Sequence, residues 1–359
     1  MAEYNKGEWS ELYVFFKLLS EGKLHAANSD LQKIPELFYP ILSIIRKEGG
    51  ETLEYHRDSN IRVVIEGSSE PIVVFSIAEF FDIARSLLAS IREGEGNFSI
   101  PWLSEWLETL KIVSITSNSR YKSDITVKVL DRNTNLSPIL GFSIKSQLGS
   151  ASTLFNSSQA TNFVYSVTTP DNYNPESVNS ITDFPKLKRR IQTLIENGCV
   201  IKFRELDSPV FSNNLKMVDS RLPELFAMIL LNFYCDLARP DLESALATLH
   251  EQNPLGVDLS HGHPFYEHKL KSALTEFALG LMPATVWDGR SEATGGFIIV
   301  KDDGELVCYH IYNRNDFQDF LLKNTKIDTP SSSRNRFGMV YRENNKLLIK
   351  LNLQIRYKK

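Results

Sequence analysis

Between Trp9 and Leu19 the apolar residues Leu12, Phe15, Phe16 and Leu19 recur at helical spacing, which predicts a first helix with Glu8 in its opening turn. A second helix is predicted over 34–45, capped by Asp30 and ended by Gly49-Gly50. The pattern then shortens to β-rich runs at 52–57, 61–66 and 72–75, with Asp58-Ser59-Asn60 as a hairpin turn. Ser76 is placed to cap a helix over 77–91, and Pro101 opens another over 102–110. Strands are predicted at 111–115, 125–130 and 139–144, the last two joined by a turn at 131–135. The run 163–167 is expected to extend that sheet. Helices follow at 186–196, 222–237, 241–249 and 266–281. The tail returns to β at 296–301, 305–312 and 346–357, with Asp302-Asp303-Gly304 as a hairpin signal.

Helices and strands mix here without strict βαβ alternation, which favours an α+β fold over a doubly wound parallel sheet. The 359 residues allow one large domain or two ordinary ones. Residues 168–180 are the best linker candidate, and 329–336 the best mobile, partner-facing loop. A net charge of −4 argues against a wholly basic nucleic-acid binder, but a cleft needs only local positive potential. The three cysteines, Cys199, Cys235 and Cys308, form no CxxC pair and suit a reducing cytoplasm. Met1–Gly7 is polar, and no apolar run approaches the roughly 20 residues of a membrane span. A soluble cytoplasmic protein, away from membranes, is expected.

Two runs carry candidate chemistry. Ser123–Val129 holds Asp124, and Leu140–Gln147 holds Lys145. On adjacent strands the two side chains can meet at one point with room for a divalent cation, the core of a metal-dependent phosphodiesterase site. Mg²⁺ accepts hard oxygen ligands and keeps waters, so Asp124 and the backbone carbonyl of Ile144 are candidate ligands. The segment 146–153, rich in Gly and hydroxyls and expected to open a helix, suits phosphate contacts through Ser150 and Ser152. In the loop Ser331–Gly338, Arg334 is the first candidate for a base or phosphate contact and Arg336 the second. Asn313-Arg314, after a strand, can enter a groove or cap the next helix. Lys186–Arg190 reads mainly as a solvated basic face, His261 and His263 as a loop pair, His310 as a core histidine, and Trp102 and Trp287 as core residues.

The strings Asn5–Tyr13, Ser123–Thr126 and Gly141–Ser150 resemble those of HpaII-like type II restriction endonucleases. So do Met282–Trp287, Ala293–Gly296, Tyr309–Arg314 and Leu351–Arg356. The resemblance runs nearly end to end. It implies a PD-(D/E)xK-type nuclease: a restriction-endonuclease-like mixed β-sheet core flanked by helices, with a C-terminal region of helices and β-hairpins. It also implies Mg²⁺ as cofactor and double-stranded DNA cut at a short palindrome; the family's namesake reads CCGG. Asp124 then matches the metal-binding acid and Lys145 the lysine of the motif. Ser143 stands where the superfamily usually has an acid. Glu11, on the first helix, is the first candidate to complete the metal and catalytic site, and Gln147 the second. Residues 1–210 are expected to form the nuclease core, and 211–359 to contribute to DNA recognition and dimerisation. A palindromic substrate suggests a homodimer. The departure at Ser143 keeps a second reading open, a sequence-specific DNA-binding protein that has lost cleavage.

Overall fold

Asn5 starts the first helix, α1 (Lys6–Glu21), with a capping box. Its side chain accepts from the backbone N–H of Gly7 and Glu8, while the Glu8 carboxylate accepts from Asn5 N–H at 2.8 Å. The computed structural model describes residues 2–116, 123–132, 134–170 and 173–358. From Trp9 to Leu19 α1 is buried on nearly every side, as a helix apolar all round must be. The chain forms two compact units, each from two separate stretches: 1–152 with 291–320, and 153–290 with 321–358.

The first unit holds a nine-stranded mixed sheet. Its early strands are β1 (Lys23–Ala27), β2 (Lys33–Glu48), β3 (Glu51–Arg57), β4 (Ile61–Ile65), β5 (Val73–Phe75), β6 (Ile125–Val129) and β7 (Ile139–Ser146). The second unit then takes β8 (Thr153–Phe155), β9 (Asn162–Thr168) and β10 (Val200–Leu206), before β11 (Gly296–Val300) and β12 (Leu306–His310) return to the first. The order is β1-β12-β11-β7-β6-β2-β3-β4-β5, and β1 also pairs with β2. Strands β1, β12, β11, β7, β6 and β2 therefore close a hydrogen-bonded ring, which β3, β4 and β5 extend. Pairings β7–β11 and β1–β12 are parallel and the rest antiparallel.

Helix α2 (Ile77–Glu93), capped by Ser76, packs on α1 through Phe80 against Phe16 at 5.3 Å between ring centres. Phe15 meets Tyr55 of β3 edge-on at 4.8 Å. Pro101 opens a 3₁₀ turn that leads into α3 (Ser104–Thr109). The core joins these helices to one face of the sheet, including Leu140, Phe142 and Ile144 of β7.

The expected helix over 34–45 is strand β2. Pro35 and Pro40 oppose a helix interior. A register shift between Ile41 and Ser43 puts both Ile41 and Ile44 inside, which counterfeits helical spacing. The stretch 111–115 forms no strand. In the turn at 131–135, Asp131 bridges Leu136; Asn133 lies outside the described residues, as do Asp171 and Asn172 of the linker candidate.

In the second unit, helices α4 (Glu176–Asn179), α5 (Lys186–Glu196), α6 (Pro209–Val218), α7 (Leu222–Tyr234), α8 (Leu242–Gln252) and α9 (Phe265–Leu279) precede α10 (Arg314–Asn324), which runs across the boundary at 320/321. Then come β13 (Thr325–Ile327), α11 (Ser332–Asn335), β14 (Val340–Glu343), β15 (Lys346–Asn352) and β16 (Ile355–Tyr357). One antiparallel sheet runs β10-β9-β15-β14, another β13-β16-β8. Strand β9 thus belongs to this unit rather than extending the first sheet. Phe155, Phe211 and Phe277 stack at 4.1–6.5 Å in its core. Burial of each such ring stabilises by roughly 1.5–3 kcal/mol.

The compact units do not follow the split at 210/211, which falls inside α6. Composition cannot show a chain that leaves one unit and comes back. Trp102 is 42% exposed and Trp287 half-buried; the fully buried tryptophan is Trp9. No helix among the described residues is long and apolar enough to cross a membrane.

Candidate active site

Strands β6 and β7 pair with Ile125 opposite Phe142, and Asp124 N–H donates to Phe142 O at 2.7 Å. Asp124 therefore stands opposite Ser143. Strand side chains alternate, so Leu140, Phe142 and Ile144 enter the core while Ser143 and Lys145 share the other face with Asp124. Asp124 Oδ2 accepts from Ser143 Oγ at 3.0 Å and from Ile144 N–H at 2.6 Å. Both donors reach the same carboxylate oxygen and so fix its rotamer.

On the other side of β7, parallel β11 places Phe297 beside Ser143 and Ile299 beside Lys145. The Lys145 ammonium lies 5.6 Å from the centre of the Phe297 ring, which also meets Phe317 of α10 at 5.2 Å. An aromatic face under a lysine holds the cation without neutralising it. Within one residue of a strand, N–H and C=O point to the same edge. The bond from Ile144 N–H to Asp124 thus puts the Ile144 carbonyl on the β6 edge too.

Glu11 is half-buried on α1. Its neighbour Ser10 has its hydroxyl 2.8 Å from that of Ser146, which ties α1 to the end of β7. Gln147 lies just past β7, its N–H donating to Val300 O at 2.9 Å. The loop with Ser150 and Ser152 leads into strand β8 and opens no helix, so it offers no helix dipole to phosphate. Asn313 closes a 3₁₀ turn, and exposed Arg314 begins α10. Among the described residues no group of three or more His, Cys, Asp or Glu could hold a metal. His261 and His263 are both exposed, with ring centres 6.4 Å apart.

In the second unit Arg334 and Arg336 are exposed at the one-turn helix α11, with Ser331 as its N-cap. The expected mobile loop is a structured turn. Arg190, counted with the basic run 186–190, is 5% exposed, and among the described residues it bonds only backbone carbonyls and a thioether sulfur. A one-dimensional charge pattern cannot distinguish that from a solvated face. His310 is the expected core histidine. It is buried, stacks on Tyr39 at 4.7 Å, accepts from Tyr312 N–H through Nδ1, and burial lowers its pKa to about 4.

An acid and a lysine on one face of paired strands, beside a strand-edge carbonyl, are groups with which metal-assisted phosphodiester hydrolysis can be built. The HpaII restriction endonuclease family model matches residues 5–357, and the chain belongs to that family. The type II restriction enzyme HpaII of Haemophilus parainfluenzae is 41% identical over 355 residues, covering 98% of each chain. No solved structure matches. The protein is thus a sequence-specific type II restriction endonuclease, a site-specific deoxyribonuclease of double-stranded DNA. Enzymes of this kind generally use a divalent metal ion.

Proposed function

We propose that the protein cuts both strands of a short palindrome in double-stranded DNA with Mg²⁺, that Asp124 and Lys145 carry the cleavage, and that two copies act together. CCGG is the first site to test. The observation that carries this reading is the common face of Asp124, Ser143 and Lys145 on β6 and β7. The donor set suits Mg²⁺, which needs only one or two carboxylates and retains waters. Asp124 and the Ile144 carbonyl would hold the ion. Bound there, it supplies Lewis-acid polarisation of the phosphate and a more acidic water. Ser143 and Ile144 N–H orient the Asp124 carboxylate. Lys145 sets its positive charge where negative charge builds on the scissile phosphate. Glu11 is the first candidate to complete the site in place of the acid missing at Ser143, and Gln147 the second. Ser150, Ser152, Asn313 and Arg314 are candidate phosphate contacts, and Arg334 and Arg336 the readers of sequence. The nuclease core draws on the N-terminal part of the chain and recognition on the C-terminal part, which is also the candidate for pairing of the two copies.

The Ser143 substitution favours one competitor, a DNA-binding protein without cleavage. Plasmid digestion with and without Mg²⁺ decides between them. Discrete fragments that need Mg²⁺ and vanish in Asp124→Asn and Lys145→Ala support the enzyme reading. Intact, retarded DNA in the wild type defeats it. A near-normal rate in Glu11→Gln removes Glu11 from the site.

A further inference from the structure

We infer that Arg190 is a positioning residue for site recognition: with Asn179 and Asn162 it fixes the backbone of the turn 331–340, so that Arg334 and Arg336 meet DNA in one geometry. The inference rests on the assignment of those two arginines to DNA contact.

Arg190, on α5, spreads its donors over separate stretches of chain. Nη1 donates to Gly338 O at 2.7 Å, Nη2 to Asn179 O at 2.9 Å and Ile181 O at 2.8 Å, and Nε to Ile181 O at 3.1 Å. Among the described residues no carboxylate pairs with it. A buried cation without a counter-ion is costly, and an apolar side chain would pack α5 at less cost. The planar guanidinium holds the carbonyls of separate segments at once, with donors fixed on different edges. Asn179 adds a second clamp. Its side chain donates to Val340 O and accepts from Val340 N–H, both at 2.8 Å.

The other end of the turn is held in the same way. Asn162 donates to Asn335 O at 3.0 Å and itself accepts from Asn352 at 2.7 Å, while Asn335 donates to Ser157 Oγ at 3.2 Å. Asn162, Asn335 and Asn352 are all buried. Between the clamps Arg334 and Arg336 point outward, while Asn335 and Phe337 are buried.

Arg336 has φ +52°, a left-handed conformation in which glycine usually ends a helix. A long cationic side chain kept at a strained position has a use that stability does not explain.

The test compares Arg190→Lys, which keeps the charge but loses the spread fork of donors, with Arg334→Ala. Steady-state cleavage of the cognate duplex and of duplexes with one altered base pair gives the discrimination, and thermal unfolding gives a control. Arg190→Lys is expected to lose about tenfold in discrimination through a raised KM, with kcat at saturating DNA within about threefold of wild type. Asn179→Ala, which removes two hydrogen bonds, is expected to move KM in the same direction and carries the test should Arg190→Lys fold poorly. Arg336→Gly is expected to keep or raise the thermal midpoint while weakening cognate binding. Wild-type discrimination in Arg190→Lys and Asn179→Ala, alongside its loss in Arg334→Ala, overturns the inference alone. Unchanged discrimination in Arg334→Ala removes both the inference and the assignment beneath it.

Discussion

The β6–β7 pair and the turn 331–340 place charged groups by opposite means. On β6 and β7 the ladder does the placing: register sets Asp124 opposite Ser143, and alternation puts Lys145 on their face. A slip of one residue would turn Lys145 into the core. The turn has no such ladder around Arg334 and Arg336. Polar side chains take the ladder's place, each bonded to main-chain groups: buried Asn162 and Arg190 and half-buried Asn179. Placement by strand register survives side-chain changes that leave the ladder intact. A presented turn should fail when single polar side chains are removed.

Four experiments test that contrast. Lys145→Ala is expected to cost cleavage about a thousandfold, ~4 kcal/mol of barrier, with an unchanged melting temperature, because the ladder survives. Equal loss of stability and rate would show Lys145 to be structural.

Acid should strike the first unit through His310. Folded, it stays neutral down to about pH 4; unfolded, it takes up a proton near the ordinary 6.5. Between those values the unfolded state binds the extra proton, so stability falls as pH falls, by up to about 3 kcal/mol. Urea midpoints from pH 7 to 4.5 measure this, and His310→Gln should flatten that limb. An equally steep limb in the variant would place the acid sensitivity elsewhere.

Gly338→Ala should destabilise the second unit by about 2 kcal/mol. Gly338 has φ +84°, and an added Cβ would lie 2.0 Å from Leu187 Cδ2. A wild-type denaturant midpoint would mean that the turn can yield. Ser143→Ala should cost least. It removes one donor on Asp124 Oδ2 and lowers the cleavage rate by about tenfold, near 1.4 kcal/mol. A wild-type rate would show that the Ile144 N–H suffices.

The sequence carried much of the fold in its caps and turns. Ser76 and its capping box, Asp58-Ser59-Asn60 and Asp302-Asp303-Gly304 all mark the boundaries observed. β2 was hidden because its bulge imitates a helical repeat. The division into units was hidden because β11 and β12 rejoin β7 and β1 across more than a hundred residues of another unit. The geometry of Asp124 and Lys145 follows from alternation, which a sequence displays. Their neighbours Phe297 and Ile144 N–H follow from pairings that it does not. Arg190 was indistinguishable from Lys188 and Arg189, since charge is written in the chain and the carbonyls around it are not.

The central claim is that one strand-borne carboxylate holds the metal without a second acid at position 143. Titration of Mn²⁺ into the complex with an uncleavable phosphorothioate duplex tests it most directly. Wild type and Ser143→Ala should bind with similar affinity, while Asp124→Asn loses about a hundredfold or more. Wild-type affinity in Asp124→Asn would contradict the account.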